Sequence, residues 1–369
     1  MPFADELIGA DTARALRDVV RAAQRATPRT DGAAAGPLDA AVHALDTLSL
    51  RERSDLLRDA LLAEVPGDHA TLAALVRRAA EDPRLTGWLI WPVTTAVAGR
   101  AIEDGASAAL DDALDLLAEL TGRLTSEFAL RPLLRHDLPR TLAAAACWTS
   151  SPDPHVRRLA TEGTRPYLPW ATRVPALVAD AWTVPLLDAL YRDESEMVRR
   201  SVANHLNDIS RHAPALAVEV AGRWLAAPAT HTSAVVRHAM RTLVKRGDPG
   251  ALALLGFTGA EAVVTGPALD RPVLARGESL TFTATVTNPG PGAARLSVDY
   301  VVHYRKADDT LRPRTFKLKE VVLDAGDSVV LTRRHAFRDL STRRHHPGEH
   351  RLQLLVNGRA SAPAAFTLT

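Results

Sequence analysis

A single carboxylate, Asp208, stands among amides and guanidinium groups in the segment from Met197 to Ser210. Arg200, Asn204, Asn207 and Arg211 are its polar company, and Asn204 lies one helical turn before it on the same face. A solvated helix face ordinarily alternates Glu with Lys. A lone carboxylate in this setting is a candidate active-site residue. A helix-terminal residue capping the next turn is the plainer reading of Asp208, and the pattern alone leaves both open. Glu162 follows Val156 by the same interval as Asn204 follows Val198, so register puts both on one face of neighbouring units. Trp170 closes the stretch Thr161-Glu-Gly-Thr-Arg-Pro-Tyr-Leu-Pro-Trp170, whose glycine and two prolines end a helix and stiffen the loop. A ring held that way stacks on a base or a cation, or it plugs a core junction. Glu127, behind Thr125 and Ser126, is either a third acid of the site or an ordinary first-turn helix acid.

The elements that position these residues are helices. Val198, Val202, Leu206 and Ile209 recur at helical spacing and make one apolar stripe. The same start recurs in Asp153-Pro-His-Val-Arg-Arg158, Ser195-Glu-Met-Val-Arg-Arg200 and Ser233-Ala-Val-Val-Arg-His238. Its period is roughly 40 residues, that of HEAT-like helix pairs, which stack into a curved solenoid. Arg157, Arg199 and Arg237 share one repeat position and suit either an inter-repeat ladder with Asp or contact with phosphate. Lys245 and Arg246 favour a helix C-terminus with or without a polyanion. The texture changes after the helical part. Ser279 to Thr287 alternates Leu280, Phe282, Ala284 and Val286 with threonine, and Asn288-Pro-Gly-Pro-Gly292 is a turn. Further strands are expected over Ser297–Tyr304, Arg314–Val322, Ser328–Arg334 and Arg351–Val356. The expected architecture is an α-helical HEAT-like repeat solenoid over 1–258, followed by an all-β immunoglobulin-like sandwich over 261–369.

Composition sets the bounds. The chain has 369 residues, 46% of them hydrophobic, which suits two domains with sizeable cores. Basic and acidic residues number 45 and 43, a net charge of +2, too balanced to prove a polyanion partner. Arginine gathers over 131–180 and 195–250 while 101–120 is acidic, an asymmetry able to give one positive face. No run approaches the roughly 18 apolar residues of a membrane span, and no secretory signal is expected from the N-terminal residues. The lone cysteine, Cys147, is expected to be a small buried residue. A cytoplasmic location is expected. The 13 histidines form no metal pattern, and His345-His346 beside Arg343-Arg344 reads as a solvated basic loop. Phosphate-binding, dinucleotide and nucleophile-elbow motifs are absent.

Several stretches together resemble the AlkC-type DNA glycosylases, HEAT-like-repeat alkylation-repair enzymes related to AlkD. They are Thr125-Ser-Glu-Phe-Ala-Leu-Arg-Pro132, Val156 to Ala171, Val198 to Ser210 and His238-Ala-Met-Arg-Thr-Leu-Val-Lys245. Asp299-Tyr-Val-Val, Phe316-Lys-Leu-Lys, Ser341-Thr-Arg-Arg and Pro347-Gly-Glu-His-Arg-Leu match the immunoglobulin-like domain that part of the family carries. The resemblance implies hydrolysis of the N-glycosidic bond of cationic alkylated bases, chiefly 3-methyladenine, in duplex DNA. It implies catalytic roles for Asp208, Glu162 and Glu127, and contact of Trp170 and Asn204 with base or sugar. It also implies backbone contacts from Arg165, Arg200, Arg241, Lys245, Arg246, Arg343 and Arg344. No cofactor, metal or membrane is expected, and the partner is double-stranded DNA containing alkylated bases, bound by a monomer. Tyr167 departs from the pattern, where a second arginine is expected, as does Leu124, where phenylalanine is expected. The alternative is a non-catalytic HEAT-repeat scaffold that binds DNA or protein.

Overall fold

The computed structural model describes residues 7–25, 36–179, 181–258, 262–338 and 345–369. Among these, sixteen α-helices run from Ala10 to Leu254 and nine strands from Val263 to Leu368. Two compact units emerge: residues 1–212 with 227–235, and 213–226 with 236–369. No helix of the described residues is long and apolar enough to cross a membrane.

In the first unit, the helix Pro154–Glu162 packs against the helix Glu196–Ile209, with Leu138–Trp148 and Val184–Leu190 alongside. Asp153 caps the first of these through the amide of His155, and Pro154 opens it without losing a needed donor. Val198, Val202, Leu206 and Ile209 are buried as their spacing requires. Ser201, His205 and Asp208 are buried as well, on a second stripe. That stripe meets the preceding repeat. The Thr161 hydroxyl donates to Ser201 Oγ at 2.7 Å, and His205 Nδ1 donates to the Thr161 carbonyl at 2.8 Å. Burial pushes the His205 imidazole down to about 4, so it is neutral and its Nε2 accepts from Thr183 Oγ1 at 2.9 Å.

The recurring arginines do structural work. Arg157 binds Asp193 through Nε at 2.6 Å and a terminal nitrogen at 3.0 Å, and also holds the carbonyls of Ser151 and Pro152. Arg199, its counterpart in the next repeat, holds the carbonyls of Asp193 and Glu194 in the same way. Arg237 is exposed. Cys147 is exposed rather than buried. Its helix buries Thr141, Ala145 and Trp148, one stripe at helical spacing, and Cys147 falls outside that stripe.

In the second unit the strands are β1 (Val263–Leu269), β2 (Val273–Leu274), β3 (Ser279–Thr287), β4 (Ala294–Arg305), β5 (Leu311–Leu323), β6 (Ser328–Ala336), β7 (Gly348–Val356), β8 (Arg359–Ala360) and β9 (Ala364–Leu368). One sheet has the order β1-β3-β6. The other runs β2-β9-β7-β4-β5, with β8 on β7. Leu280, Phe282, Ala284 and Val286 of β3 face the core, where Leu296, Tyr300, Phe337, Leu352 and Phe366 meet them. His335 bridges the hydroxyls of Tyr300 and Tyr304 at 2.9 and 2.8 Å, and burial pushes it down to about 4. His345 is not on a solvated loop. It is buried with its ring 5.4 Å from Tyr304 and 5.5 Å from Phe337, because it packs into the aromatic core. Arg343 and Arg344 lie outside the described residues.

The sandwich is stapled to the helix end that precedes it. Arg295 donates to the Leu255 carbonyl at 2.9 Å and sits 4.9 Å from the Phe257 ring. Asn357 Nδ2 donates to the Thr258 carbonyl at 3.1 Å. Gly247 and Gly358 meet backbone to backbone. A Cβ on Gly358 would fall 2.2 Å from Gly247 Cα.

Candidate active site

The helix Pro154–Glu162 ends at a tight contact. A Cβ on Gly163 would meet Leu130 Cδ2 at 2.7 Å and the Leu159 carbonyl at 3.0 Å, so the chain needs glycine there to stay close. The loop beyond is tied down by Arg131, which is buried and donates to the carbonyls of Gly163, Arg165 and Thr172 at 2.9–3.0 Å. This is the Arg-Pro of the Thr125–Pro132 stretch, and it fixes the backbone on both sides of Tyr167.

Within this frame acids and guanidinium groups alternate. Arg158 reaches Glu127 at 2.9 Å and lies 3.9 Å from Glu162. Arg165 reaches Glu162 at 2.6 Å with one terminal nitrogen and Asp208 Oδ2 at 2.9 Å with Nε. The chain Glu127–Arg158–Glu162–Arg165–Asp208 thus links three sequence regions. Hydroxyls complete it. Thr125 donates to Glu127 and Ser201 to Glu162, each at 2.7 Å, while the Tyr167 amide donates to Asp208 at 3.3 Å.

Burial pushes the Glu127 carboxyl up; Arg158 opposes this, while the neighbouring charge of Glu162 adds to it. Burial acts on Glu162 in the same sense but is outweighed by Arg165, Arg158 and the Ser201 hydroxyl, which hold it below the usual range. Burial lowers Arg165, and its two carboxylate partners more than restore it. Glu162 is therefore the firmly ionised acid. It is 7% exposed and lines a cavity of about 510 Å³ with Arg158, Arg200, Ser201 and Asn204. Asp208 is 0% exposed, and its Oδ1 has no hydrogen-bond partner. Glu162 and Asn204 do share one face, whereas Asp208 sits behind Arg165. Arg165, read from sequence as a backbone contact, is buried between two carboxylates.

Trp170 does not line that cavity. Its backbone is left-handed, with φ 59°, and its side chain is 54% exposed. Its ring is 6.0 Å from Trp88, which is 6.2 Å from Trp91, which stacks on Phe128 at 4.0 Å. Arg51 holds the Trp170 carbonyl. Together Trp170, Trp91, Phe128, Arg51 and Arg135 border a cleft of about 670 Å³. Sequence reasoning missed Arg51, Trp88, Trp91, Arg131 and Arg158, whose partners lie far away along the chain. Arg241, Lys245 and Arg246 belong to the second compact unit. Lys245 and Arg246 are exposed in the last turn of the helix Arg241–Arg246, and the Arg241 guanidinium donates to the His238 carbonyl at 2.6 Å. Among the described residues no group of three metal-ligating side chains converges.

The family model described as "Uncharacterised protein YhaZ, C-terminal Ig-like domain" matches residues 263–369. The chain is 34% identical to the "Uncharacterized protein YhaZ" of Bacillus subtilis (strain 168) over 86% of its own length and 87% of that protein's. It also superposes on the solved structure of Pseudomonas fluorescens alkylpurine DNA glycosylase AlkC, bound to DNA containing an abasic site analog. There the TM-score is 0.84 and the identity 33%, over 100% of both chains. The whole-length likeness joins the helical array that carries the carboxylates to the strand-rich domain that follows it. The chain belongs to the family of AlkC and YhaZ, with the C-terminal immunoglobulin-like domain of that family.

Proposed function

We propose that the protein is a DNA glycosylase that hydrolyses the N-glycosidic bond of cationic alkylated bases, chiefly 3-methyladenine, in duplex DNA. The observation that carries this reading is the Glu127–Arg158–Glu162–Arg165–Asp208 chain with Glu162 fronting the cavity. A methylated base is already cationic and leaves without being protonated. Charge then moves to the sugar as an oxocarbenium ion, which a fixed carboxylate stabilises while orienting the attacking water. Glu162 takes that role, with Asn204 and Arg200 beside it on the cavity wall. Asp208 and Arg165 fix its position and charge, and Glu127 fixes Arg158. Trp170 offers a ring face to the cationic nucleotide. In this reading residues 1–258 form the catalytic domain and the sandwich 261–369 assists in gripping the duplex, with Arg241, Lys245 and Arg246 on the phosphates.

The test is release of free 3-methyladenine from methylated duplex DNA. Glu162→Gln should lower the rate roughly 10²–10³-fold, the usual cost of losing one electrostatic stabiliser. Asp208→Asn should fall by a similar factor with duplex binding little changed. Near-wild-type turnover by both variants would sink the assignment. No release by the wild type, with duplex binding intact, would replace it with a binding scaffold.

A further inference from the structure

Tyr167 breaks the Arg-Pro-x-Leu-Pro-Trp pattern, and its side chain takes no part in the carboxylate chain. The guanidinium carbons of Arg173 and Arg211 each lie 5.0 Å from its ring centroid. The two like charges are thus no more than twice that distance apart. Two cation–π contacts offset their repulsion. The ring thereby gathers charge that would otherwise disperse.

That charge is only partly compensated locally. The Arg211 guanidinium is 3.8 Å from Asp208 Oδ1, beyond hydrogen-bond distance, and the other Asp208 oxygen is taken by Arg165 and the Tyr167 amide. Arg173 donates to the Pro166 carbonyl at 3.4 Å. Both guanidinium groups reach solvent, and the Arg211 side chain is 45% exposed. His212, 5.9 Å from the same ring, is held neutral by burial and adds no charge of its own at pH 7. Two exposed guanidinium groups against one ring, with Asp208 Oδ1 at 3.8 Å compensating only one of them, suit a phosphate oxygen pair.

We propose that Tyr167, Arg173 and Arg211 form an anion site that takes a phosphodiester of the DNA strand beside the carboxylate chain. Where the pattern expects an arginine at position 167, the ring instead holds the guanidinium groups of Arg173 and Arg211. The Tyr167 amide bond to Asp208 ties the same loop to the carboxylates. This inference rests on the DNA reading above.

The experiment is binding of a fluorescent duplex carrying an abasic-site analogue between 50 and 200 mM salt, with log K plotted against log salt; these two concentrations bracket the range where phosphate contacts are lost, roughly 10³–10⁵ in affinity for 6–10 contacts. Arg173→Gln and Arg211→Gln should each flatten the slope by about 0.9, additively in the double variant. Tyr167→Phe should keep the wild-type slope and affinity. Tyr167→Leu should weaken binding roughly twofold to fivefold. A double variant that keeps its melting temperature and the wild-type slope overturns the site, as does Tyr167→Phe behaving like Tyr167→Leu. Competition by millimolar inorganic phosphate beyond chloride at equal ionic strength would make it a free-phosphate site instead, and the proposal falls. If the wild type shows no salt-dependent duplex binding, the DNA reading falls and the site with it.

Discussion

Arg165 serves two buried carboxylates at once, and without it each would keep only a more distant guanidinium, Arg158 at 3.9 Å from Glu162 and Arg211 at 3.8 Å from Asp208. Breaking a buried pair from one side costs about 3–5 kcal/mol. Arg165→Met should therefore lose about that much stability by urea unfolding. Arg165→Lys should fall between, because one ammonium cannot reproduce the two-sided fork. Loss of Arg165 also removes the main charge that holds Glu162 down, so the acid limb of the excision profile should move to higher pH. An Arg165→Met protein with wild-type stability and an unmoved profile would contradict the chain of charges. At this scale the sequence was legible for residue type and less so for depth. Glu162, Asn204 and Asp208 were named from register, and the first two do share a cavity wall. Asp208 was placed on one face with Asn204 because both lie off the Val198–Ile209 stripe. Helix Glu196–Ile209 packs on two sides, and a single-stripe reading has no means of showing the second.

The elements show where local pattern suffices. Strand β3 begins and ends where the Leu280–Val286 alternation does, since a pleat needs no distant partner to set its period. Strands β1, β2, β8 and β9 were not foreseen. They are short or turn-rich, and pairing is what makes them strands: β1 with β3, β8 and β9 with β7, and β2 with β9. The loop that carries Trp170 was foreseen as stiff from its prolines, while its anchors, Arg131 and Arg51, come from distant helices. The helix end at Gly163 is a tight point that sequence alone marks only as a breaker. Gly163→Ala should lose about 1–3 kcal/mol through overpacking against Leu130. It should also reduce excision by displacing Glu162. Stability within error of wild type would show that Leu130 gives way.

At the scale of the whole molecule, each compact unit holds a neutral histidine in its interior. His205 lies in one and His335 in the other, both at about 4 in the fold against about 6.5 when free. Above pH 6.5 neither form binds the proton and the histidines are silent. As pH falls from about 6.5 towards 4 the unfolded chain takes up protons that the folded one refuses, so stability drains across that window. Melting at pH 7 and pH 5 should show both units losing stability, and His205→Gln should blunt the loss in the first unit alone. A melting temperature unchanged between the two values would refute this. The seam at Gly247 and Gly358 has a consequence for inheritance. The backbones touch there, so the immunoglobulin-like domain fits only a helix end shaped to receive it. The piece that can be exchanged between such proteins by recombination is therefore longer than the domain itself. It must bring the helices of 236–258 with it, or arrive with Arg295 and Asn357 deprived of the carbonyls they hold.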